Sequence, residues 1–284
     1  MDTPATRLRK LLAEPGLLLM PCCFDALSAK LIEQAGFGLT FMSGFAVSAT
    51  RLGQPDTGLI SYGEMVDQGR NICASVGIPV IGDADTGYGN AMNVQRTVEG
   101  YARAGFASIM IEDQVWPKRC GHVAGKLVVD RDEALKRIRA AVDCREAGTD
   151  ILIMARTDAR ATHDLDEAIR RATAFAEAGA DITFVEAPRS ATELARIARE
   201  VPGPTMANML DHGETPLLPP AELEALGFRI AAYPLTLLCA AVKAMQEALA
   251  AIQAGKPAKH GVTFDELKSI IGFPRYLAEE KRYQ

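Results

Sequence analysis

Eight short apolar segments, each followed by a longer amphipathic segment, constrain the fold of this chain more than any other feature. A short apolar run is typical of a strand buried on both faces, and the amphipathic segment after it is typical of a crossover helix. Eight such units predict a closed (β/α)8 barrel of the TIM type, with an open doubly wound sheet as the alternative. The predicted strands are Leu17–Pro21, Leu39–Met42, Pro79–Gly82, Ser108–Glu112, Ile151–Ala155, Asp181–Val185, Thr205–Asn208 and Ile230–Ala232.

Glycine occurs where four of the predicted helices end before the next strand, which supports this assignment. The four positions are Ala35-Gly36, Ala104-Gly105, Ala178-Gly179 and Leu226-Gly227. The 284 residues contain no stretch that resembles a linker, so we predict one domain over residues 1–284. Within it, residues 256–284 form a C-terminal helical extension whose apolar side chains need burial, among them Phe264, Phe273 and Leu277.

Composition excludes several classes of partner. The net charge of −5 is spread without basic runs, which disfavours nucleic acid, and no apolar run approaches the ~20 residues that span a bilayer. The six cysteines are irregularly spaced and form no CxxC zinc pattern, and the N-terminus lacks the apolar core of an export signal. We therefore expect a cytoplasmic protein with reduced thiols and a small-molecule substrate.

Polar side chains stand at the ends of six predicted strands, where active sites of such barrels form. One carboxylate after a strand is usually a helix cap, but six polar strand ends predict an active site. They are Ser43-Gly44, Asp83–Gly89, Glu112-Asp113, Arg156–Asp158, Glu186 and Asn208.

Several carboxylates at one barrel mouth repel each other unless a cation lies among them. Oxygen ligands with few histidines indicate magnesium, with manganese as the substitute ion. Since magnesium keeps most of its waters, we predict Asp83 as the direct ligand, with Asp85, Asp56 and Glu112 acting through water. A phosphate-binding loop is disfavoured, because neither the Walker spacing nor a GxGxxG follows a strand here.

The motif Lys118-Arg119-Cys120-Gly121-His122 places one thiol among three potential cations. A thiol near positive charge has a pKa below its free value of ~8.5, so Cys120 is predicted to exchange a proton near neutrality. The other five cysteines are expected to be packing residues.

These motifs together resemble the isocitrate lyase and phosphoenolpyruvate mutase superfamily from about Pro21 to Ala254. The Lys-Arg-Cys-Gly-His motif is similar to the lyase branches, which cleave a carbon–carbon bond in a 2-hydroxy acid. The resemblance implies a magnesium-dependent barrel enzyme, an oxo-acid-lyase that forms a homotetramer, a dimer of dimers whose C-terminal helices exchange between paired subunits.

The expected chemistry assigns a role to each polar residue at the barrel mouth. Cys120 is the expected general acid, with His122 adjusting its charge, and Lys118, Arg119 and Arg156 are also expected to be catalytic. Ser43 and Gly44 are expected to bind the 2-oxo acid through main-chain amides, while Arg156 and Asn208 hold the enediolate. Glu186 orients Arg156, and Gly121 and His122 complete the predicted substrate site.

Two features of the sequence indicate which branch of the superfamily this chain resembles. Phe41 stands where isocitrate and methylisocitrate lyases have tyrosine as a base, and residues 208–217 resemble the branch of alkylmalate lyases and petal death proteins. We therefore predict cleavage of a 2-hydroxy dicarboxylate, 2,3-dimethylmalate or another alkylmalate, to a 2-oxo acid such as pyruvate and a short carboxylic acid. The alternatives are 2-methylisocitrate lyase, then oxaloacetate hydrolase, which Pro234 disfavours, then a non-catalytic binding protein.

Overall fold

The computed structural model describes residues 2–121 and 125–284, and within these the strands form a closed barrel in chain order. Every neighbouring pair of strands is parallel, including the pair that closes the barrel. The predicted (β/α)8 barrel is confirmed, and the open sheet is excluded. The strands are β1 (Leu18–Cys23), β2 (Thr40–Met42), β3 (Val80–Asp83), β4 (Ser108–Glu112), β5 (Leu152–Thr157), β6 (Ile182–Val185), β7 (Thr205–Asn208) and β8 (Ile230–Tyr233).

Helices surround the barrel and connect its strands. The glycines at the four predicted helix ends all have positive φ, which confirms those ends. Across the described ranges the α-helices are α1 (Pro4–Ala13), α2 (Ala26–Gln34), α3 (Gly44–Val47), α4 (Tyr62–Ser75), α5 (Ala91–Ala104), α6 (Arg131–Glu146), α7 (Ala159–Thr162), α8 (Leu165–Glu177), α9 (Ala191–Glu200), α10 (Pro220–Leu226), α11 (Thr236–Gln253), α12 (Phe264–Ile271) and α13 (Phe273–Glu280).

Two strands continue two residues further than predicted, and β3 and β8 each continue one residue further. β1 extends to Cys23 because its end pairs with β2, and β5 extends to Thr157 because it pairs with both β4 and β6. Arg156 therefore lies within a strand rather than after it, opposite Glu112 in the register. Pairing on both sides holds its main chain, so the position of this side chain depends on the barrel and not on a loop.

The core has an inner part within the barrel and outer parts between the strands and the helices. Met110, Met154 and Phe184 belong to the inner cluster. Because side chains alternate along a strand, the residues two positions later also point into the barrel. For these three the residues are Glu112, Arg156 and Glu186, so an apolar side chain in the barrel core is followed by a charged group at the mouth.

The C-terminal extension follows the barrel as α12 and α13. α12 lies against α2, where Gln34 Nε2 donates to the Ile270 carbonyl at 3.1 Å. Phe264 is 74% exposed and Leu277 is 47% exposed, so much of the apolar surface of the extension is not covered by the residues that the structure describes. The single-domain boundary and the exchange of these helices between subunits stay predictions. No helix in the described ranges is long and apolar enough to cross a bilayer.

Candidate active site

One cavity opens at the C-terminal ends of the strands and brings together residues from all eight of them. Its polar lining consists of predicted site residues from strand ends together with two members of the cysteine motif. The polar lining residues are Ser43, Asp83, Cys120, Gly121, Arg156, Glu186 and Asn208. The apolar lining residues include Phe41, Phe45, Met110, Phe184, Met206, Leu210, Pro234 and Leu235.

Arg156 is the cation that lines this cavity in the part of the chain that the structure describes. Its guanidinium forms a bidentate pair with Asp158, with Nε to Oδ2 at 2.8 Å and Nη2 to Oδ1 at 3.0 Å. Nη2 also lies 3.2 Å from Glu186 Oε2, and Nε lies 3.3 Å from Glu112 Oε2. Burial alone would lower the pKa of Arg156, but these three carboxylates outweigh burial and raise it well above its ordinary value. The predicted contact of Glu186 with Arg156 is therefore present, and Asp158 holds the same guanidinium more closely.

Asp83 is tied to the turn after β2. Its Oδ2 accepts from the Gly44 amide at 3.1 Å and its Oδ1 accepts from the Asp85 amide at 3.0 Å. A Cβ at position 44 would lie 2.5 Å from Asp83 Oδ2, so only glycine allows this approach. Each carboxylate oxygen keeps a second lone pair for another partner.

The turn at Ser43 caps α3. Ser43 Oγ accepts from the Ala46 amide at 3.4 Å, and the Ser43 amide donates to the Cys23 carbonyl at 3.1 Å. The two amides predicted to bind a 2-oxo acid, those of Ser43 and Gly44, thus have partners within the protein. In this structure the turn reaches the cavity through the Ser43 side chain, whose hydroxyl proton can still be donated.

Lys118 lies among buried carboxylates. Its ammonium lies 2.6 Å from Asp56 Oδ1 and 2.7 Å from Asp85 Oδ1, and its side chain is only 3% exposed. Burial raises the pKa of Asp85 to about 6 against the lowering effect of Lys118. The ammonium therefore neutralises buried carboxylates, and the expected catalytic role of Lys118 stays a prediction. The reason for this pairing is electrostatic, because two buried carboxylates need a neutralising cation.

The acidic residues at the mouth meet the requirements of a divalent cation only in part. In residues 2–121 and 125–284, no group of three carboxylate, histidine or cysteine side chains is arranged to hold a metal directly. Asp85 Oδ2 and Glu112 Oε1 are buried without a hydrogen-bond partner. Burial also raises the pKa of Glu112 well above its ordinary value, although Arg156 lowers it. Unsatisfied acceptors beside Asp83 fit an ion that keeps most of its own waters.

The cysteine motif lies over the cavity. Cys120 is half-buried and Gly121 is buried, and a Cβ at position 121 would lie 2.4 Å from Glu186 Oε2 and 2.6 Å from Arg156 Nη2. Arg119 has an exposed side chain near Gly125 and does not line the cavity. His122, predicted as both a catalytic and a binding residue, lies outside the described residues.

A buried network supports Asp158 from behind. Asp113 Oδ1 accepts from the Asp158 amide at 2.9 Å, and Asp113 Oδ2 lies 3.0 Å from Arg171 Nη1. Arg171 Nε in turn lies 2.9 Å from Glu167 Oε1. Burial alone would raise the pKa of Glu167, but hydrogen bonds from Arg131, Arg171 and a third arginine lower it to about 2. The guanidinium at the cavity is thus anchored through a chain of charges to α8.

Sequence reasoning missed three kinds of residue at the site. Cys22 lines the cavity instead of serving only as packing, because β1 continues past Pro21. Outside the site, Cys239 was also expected to pack, but it is exposed. Phe184 and Met206 form part of the apolar wall of the cavity, two positions before Glu186 and Asn208, so the alternation of side chains along a strand could have identified them. Gln114 and Lys126, which contact the cysteine loop, have no local signal in the sequence.

The fold and the cavity define an enzyme of the (β/α)8 class, with acidic, thiol and guanidinium groups at the C-terminal ends of its strands. Residues 8–253 match the family described as phosphoenolpyruvate phosphomutase, and the chain belongs to that family. The superfamily predicted from the motifs is confirmed.

Two relatives are similar over almost the full chain. 2,3-Dimethylmalate lyase of Eubacterium barkeri is 45% identical, with 98% of each chain covered. 2-Methylisocitrate lyase of Bacillus subtilis (strain 168) is 37% identical, with 98% of this chain and 92% of the relative covered. The family therefore includes enzymes named for both of the leading predicted activities.

Solved structures show the same architecture. Oxaloacetate acetylhydrolase in complex with 3,3-difluorooxalacetate aligns with a TM-score of 0.95 and 36% identity, covering 99% of this chain and 97% of that one. Phosphonopyruvate hydrolase in complex with oxalate and Mg²⁺ aligns with a TM-score of 0.87 and 33% identity, covering 99% of each chain. Lyases and hydrolases thus share this barrel, and the cavity lining must separate them.

Proposed function

We propose that this chain is a carbon–carbon lyase that cleaves 2,3-dimethylmalate, or a closely related alkylmalate, to pyruvate and a short carboxylic acid. The observation that carries the proposal is the joint placement of Cys120 and Arg156 in a cavity whose remaining wall is largely apolar. The similarity to 2,3-dimethylmalate lyase supports the same substrate. Cleavage breaks the C2–C3 bond, and its electron pair passes to C3 and the adjacent carboxylate as an enediolate.

The cavity lining supports a dicarboxylate over a tricarboxylate. Arg156 is its one lining cation within the described ranges, and that charge is already shared among three acidic groups. A third substrate carboxylate would be buried beside Phe184 and Met206, where an unpaired charge is costly. Burial of the methyl groups of 2,3-dimethylmalate against the same apolar surface is favourable, by about 0.8 kcal/mol for each buried carbon.

The acidic groups fit a divalent cation, and we propose magnesium. Asp83 would hold the ion directly, while Asp85, Asp56 and Glu112 would act through water. When bound, the ion would act as a Lewis acid toward the 2-oxygen, which becomes the ketone oxygen of the 2-oxo acid. The complex of phosphonopyruvate hydrolase with oxalate and Mg²⁺ supports a divalent ion at this barrel mouth.

The protein groups then act on the departing carbon. Arg156 and the Asn208 amide donate hydrogen bonds to the enediolate, and Cys120 gives its proton to C3, which completes the carboxylic acid. Phe41 lines the cavity without a hydroxyl, so it cannot accept the proton of the 2-hydroxyl group. Asp56 is our candidate for that base, although its Oδ1 contacts Lys118 in this structure.

The test is pyruvate release, followed with a coupled dehydrogenase, from 2,3-dimethylmalate, 2-methylisocitrate and isocitrate, with an acetate assay for oxaloacetate. We expect magnesium-dependent cleavage of 2,3-dimethylmalate that chelator and Cys120→Ser abolish. Cys239→Ser is the matched control, because Cys239 is exposed and lies outside the cavity. Absence of turnover on every substrate would support a non-catalytic binding protein instead.

2-Methylisocitrate lyase is the second candidate, because Pro234 and Leu235 line the cavity in a segment that resembles that branch. Neither residue offers a hydroxyl group to a hydrated ketone, which disfavours oxaloacetate hydrolysis. A preference for 2-methylisocitrate in the assay would reverse the order of the two lyase activities.

We also propose that the chain acts as a cytoplasmic homotetramer. The exposed apolar side chains of α12 and α13 support an intersubunit role for the extension. Light scattering of the full chain would show a mass four times that of the 30.5 kDa chain. A monomer at micromolar concentration would contradict this assembly.

A further inference from the structure

The residues described between β4 and α6 include 115–121, with Cys120 among them, and 125–127, and we call these two stretches the cysteine loop. Main-chain hydrogen bonds close its base, with the Val115 amide donating to the Leu127 carbonyl at 2.8 Å and the Val129 amide donating to the Asp113 carbonyl at 2.9 Å. These bonds hold the two ends of the loop. The position of the thiol depends on further contacts near Cys120 itself.

Gln114 makes such a contact on the N-terminal side of Cys120. It is fully buried, its Nε2 donates to the Arg119 carbonyl at 2.8 Å, and its Oε1 accepts from the Arg119 amide at 3.0 Å. A main-chain N–H can only donate and a carbonyl can only accept, so the orientation of the glutamine amide is determined. One side chain therefore holds both polar main-chain groups of the residue before Cys120.

Lys126 makes the corresponding contact on the C-terminal side. Its Nζ donates to the Gly121 carbonyl and also lies 3.1 Å from Asp158 Oδ1, and its side chain is 4% exposed. Asp158 is the residue that binds Arg156 in a bidentate pair. The residue after Cys120 is thus connected to the same carboxylate that orients the guanidinium in the cavity.

We propose that Gln114 and Lys126 are positioning residues that fix the main chain on both sides of Cys120 and so set its thiol relative to Arg156. Neither side chain lines the cavity, so both act through the loop and not by contact with substrate. The expected effect on turnover rests on the proposed lyase function. The effect on the position of the thiol does not, and it can be measured separately.

The experiment compares full-length wild type with Gln114→Glu and Lys126→Met. Glutamate keeps the shape of glutamine but, when ionised, has no N–H to donate to the Arg119 carbonyl, and methionine keeps an apolar stem without the ammonium. Gln68→Glu is the matched control, because Gln68 Nε2 donates to the Phe24 carbonyl at 2.7 Å outside this loop. Two measurements are made: steady-state kinetics give kcat and KM for 2,3-dimethylmalate, and iodoacetamide labelling gives the rate at which Cys120 is modified. Mass spectrometry follows the modification, with exposed Cys239 as the internal reference.

We expect kcat to fall about 100-fold in both loop variants while KM stays within about threefold, because displacement by about 1 Å disturbs reaction geometry more than binding. Modification of Cys120 should accelerate at least about fivefold relative to Cys239, and Lys126→Arg should restore part of kcat. Gln68→Glu should change neither quantity more than about twofold.

Unchanged kcat and unchanged modification in folded variants would overturn the proposal, as would a rise in KM alone. If wild type does not cleave 2,3-dimethylmalate, the proposed function fails while the modification rate still decides the positioning role. If Gln114→Glu does not fold, Lys126→Met provides the same test from the other side of Cys120.

Discussion

The substitution Gly121→Ala tests the closest approach in the site. A Cβ at position 121 would lie 2.4 Å from Glu186 Oε2 and 2.6 Å from Arg156 Nη2, whereas ordinary contact begins at 3.4 Å. Gly121 has φ outside the left-handed region, so backbone strain does not contribute. The methyl group therefore forces either the loop or the two charged side chains to move by about 1 Å.

Neither movement leaves the site intact. Arg156 is held by two bonds to Asp158, and the loop carries Cys120, so any shift changes the distance between the proposed acid and the proposed clamp. A misplacement of about 1 Å costs roughly 100-fold in rate, which corresponds to about 2.7 kcal/mol of transition-state stabilisation. We expect kcat/KM for 2,3-dimethylmalate to fall by this factor.

The assay is pyruvate release at saturating magnesium, with thermal unfolding measured on the same samples. Gly38→Ala is the matched control, because a Cβ there meets only Leu11 Cδ2 at 3.9 Å, and it should keep kcat/KM within about twofold. Activity of Gly121→Ala within about threefold of wild type would refute the reasoning, since the loop would then tolerate a methyl group where the structure leaves no space.

Two further predictions concern the metal and the buried network. In Gly44→Ala, a Cβ 2.5 Å from Asp83 Oδ2 displaces the proposed metal ligand. Titration of metal-depleted enzyme should then show half-maximal activity at about tenfold higher magnesium. An unchanged titration would mean that Asp83 does not bind the metal. The folded-state pKa of Glu167 is lowered to about 2, so its carboxylate stabilises the fold above the unfolded value of about 4.3, and this contribution is lost as pH falls towards 2. Glu167→Gln should therefore lower the free energy of unfolding by about 1–2 kcal/mol at pH 7, after allowance for solvent screening, and by less at pH 3 in urea titrations. A difference independent of pH would contradict this account.

The barrel was predictable because its signals are local. Apolar runs of strand length, amphipathic segments and glycines such as Gly105 and Gly227 each depend on residues close in the chain. Parallel strands then place their C-terminal ends at one edge, so Asp83 and Arg156 could be assigned to the same site without knowledge of any contact. The strand ends were less certain, because pairing with neighbouring strands decides where β1 and β5 finish.

The sequence by itself determined the fold, the face that carries the site and the identity of most polar groups on it. Only the tertiary structure decided which charges pair. Lys118 is two residues from Cys120 but binds Asp56 and Asp85, because the free energy of a buried ammonium depends on the carboxylates around it and not on its neighbours in the chain. The hydrogen bonds from Gln114 and Lys126 to the cysteine loop also could not be predicted from the sequence pattern. A hydrogen bond requires a distance and a direction that only the folded chain supplies.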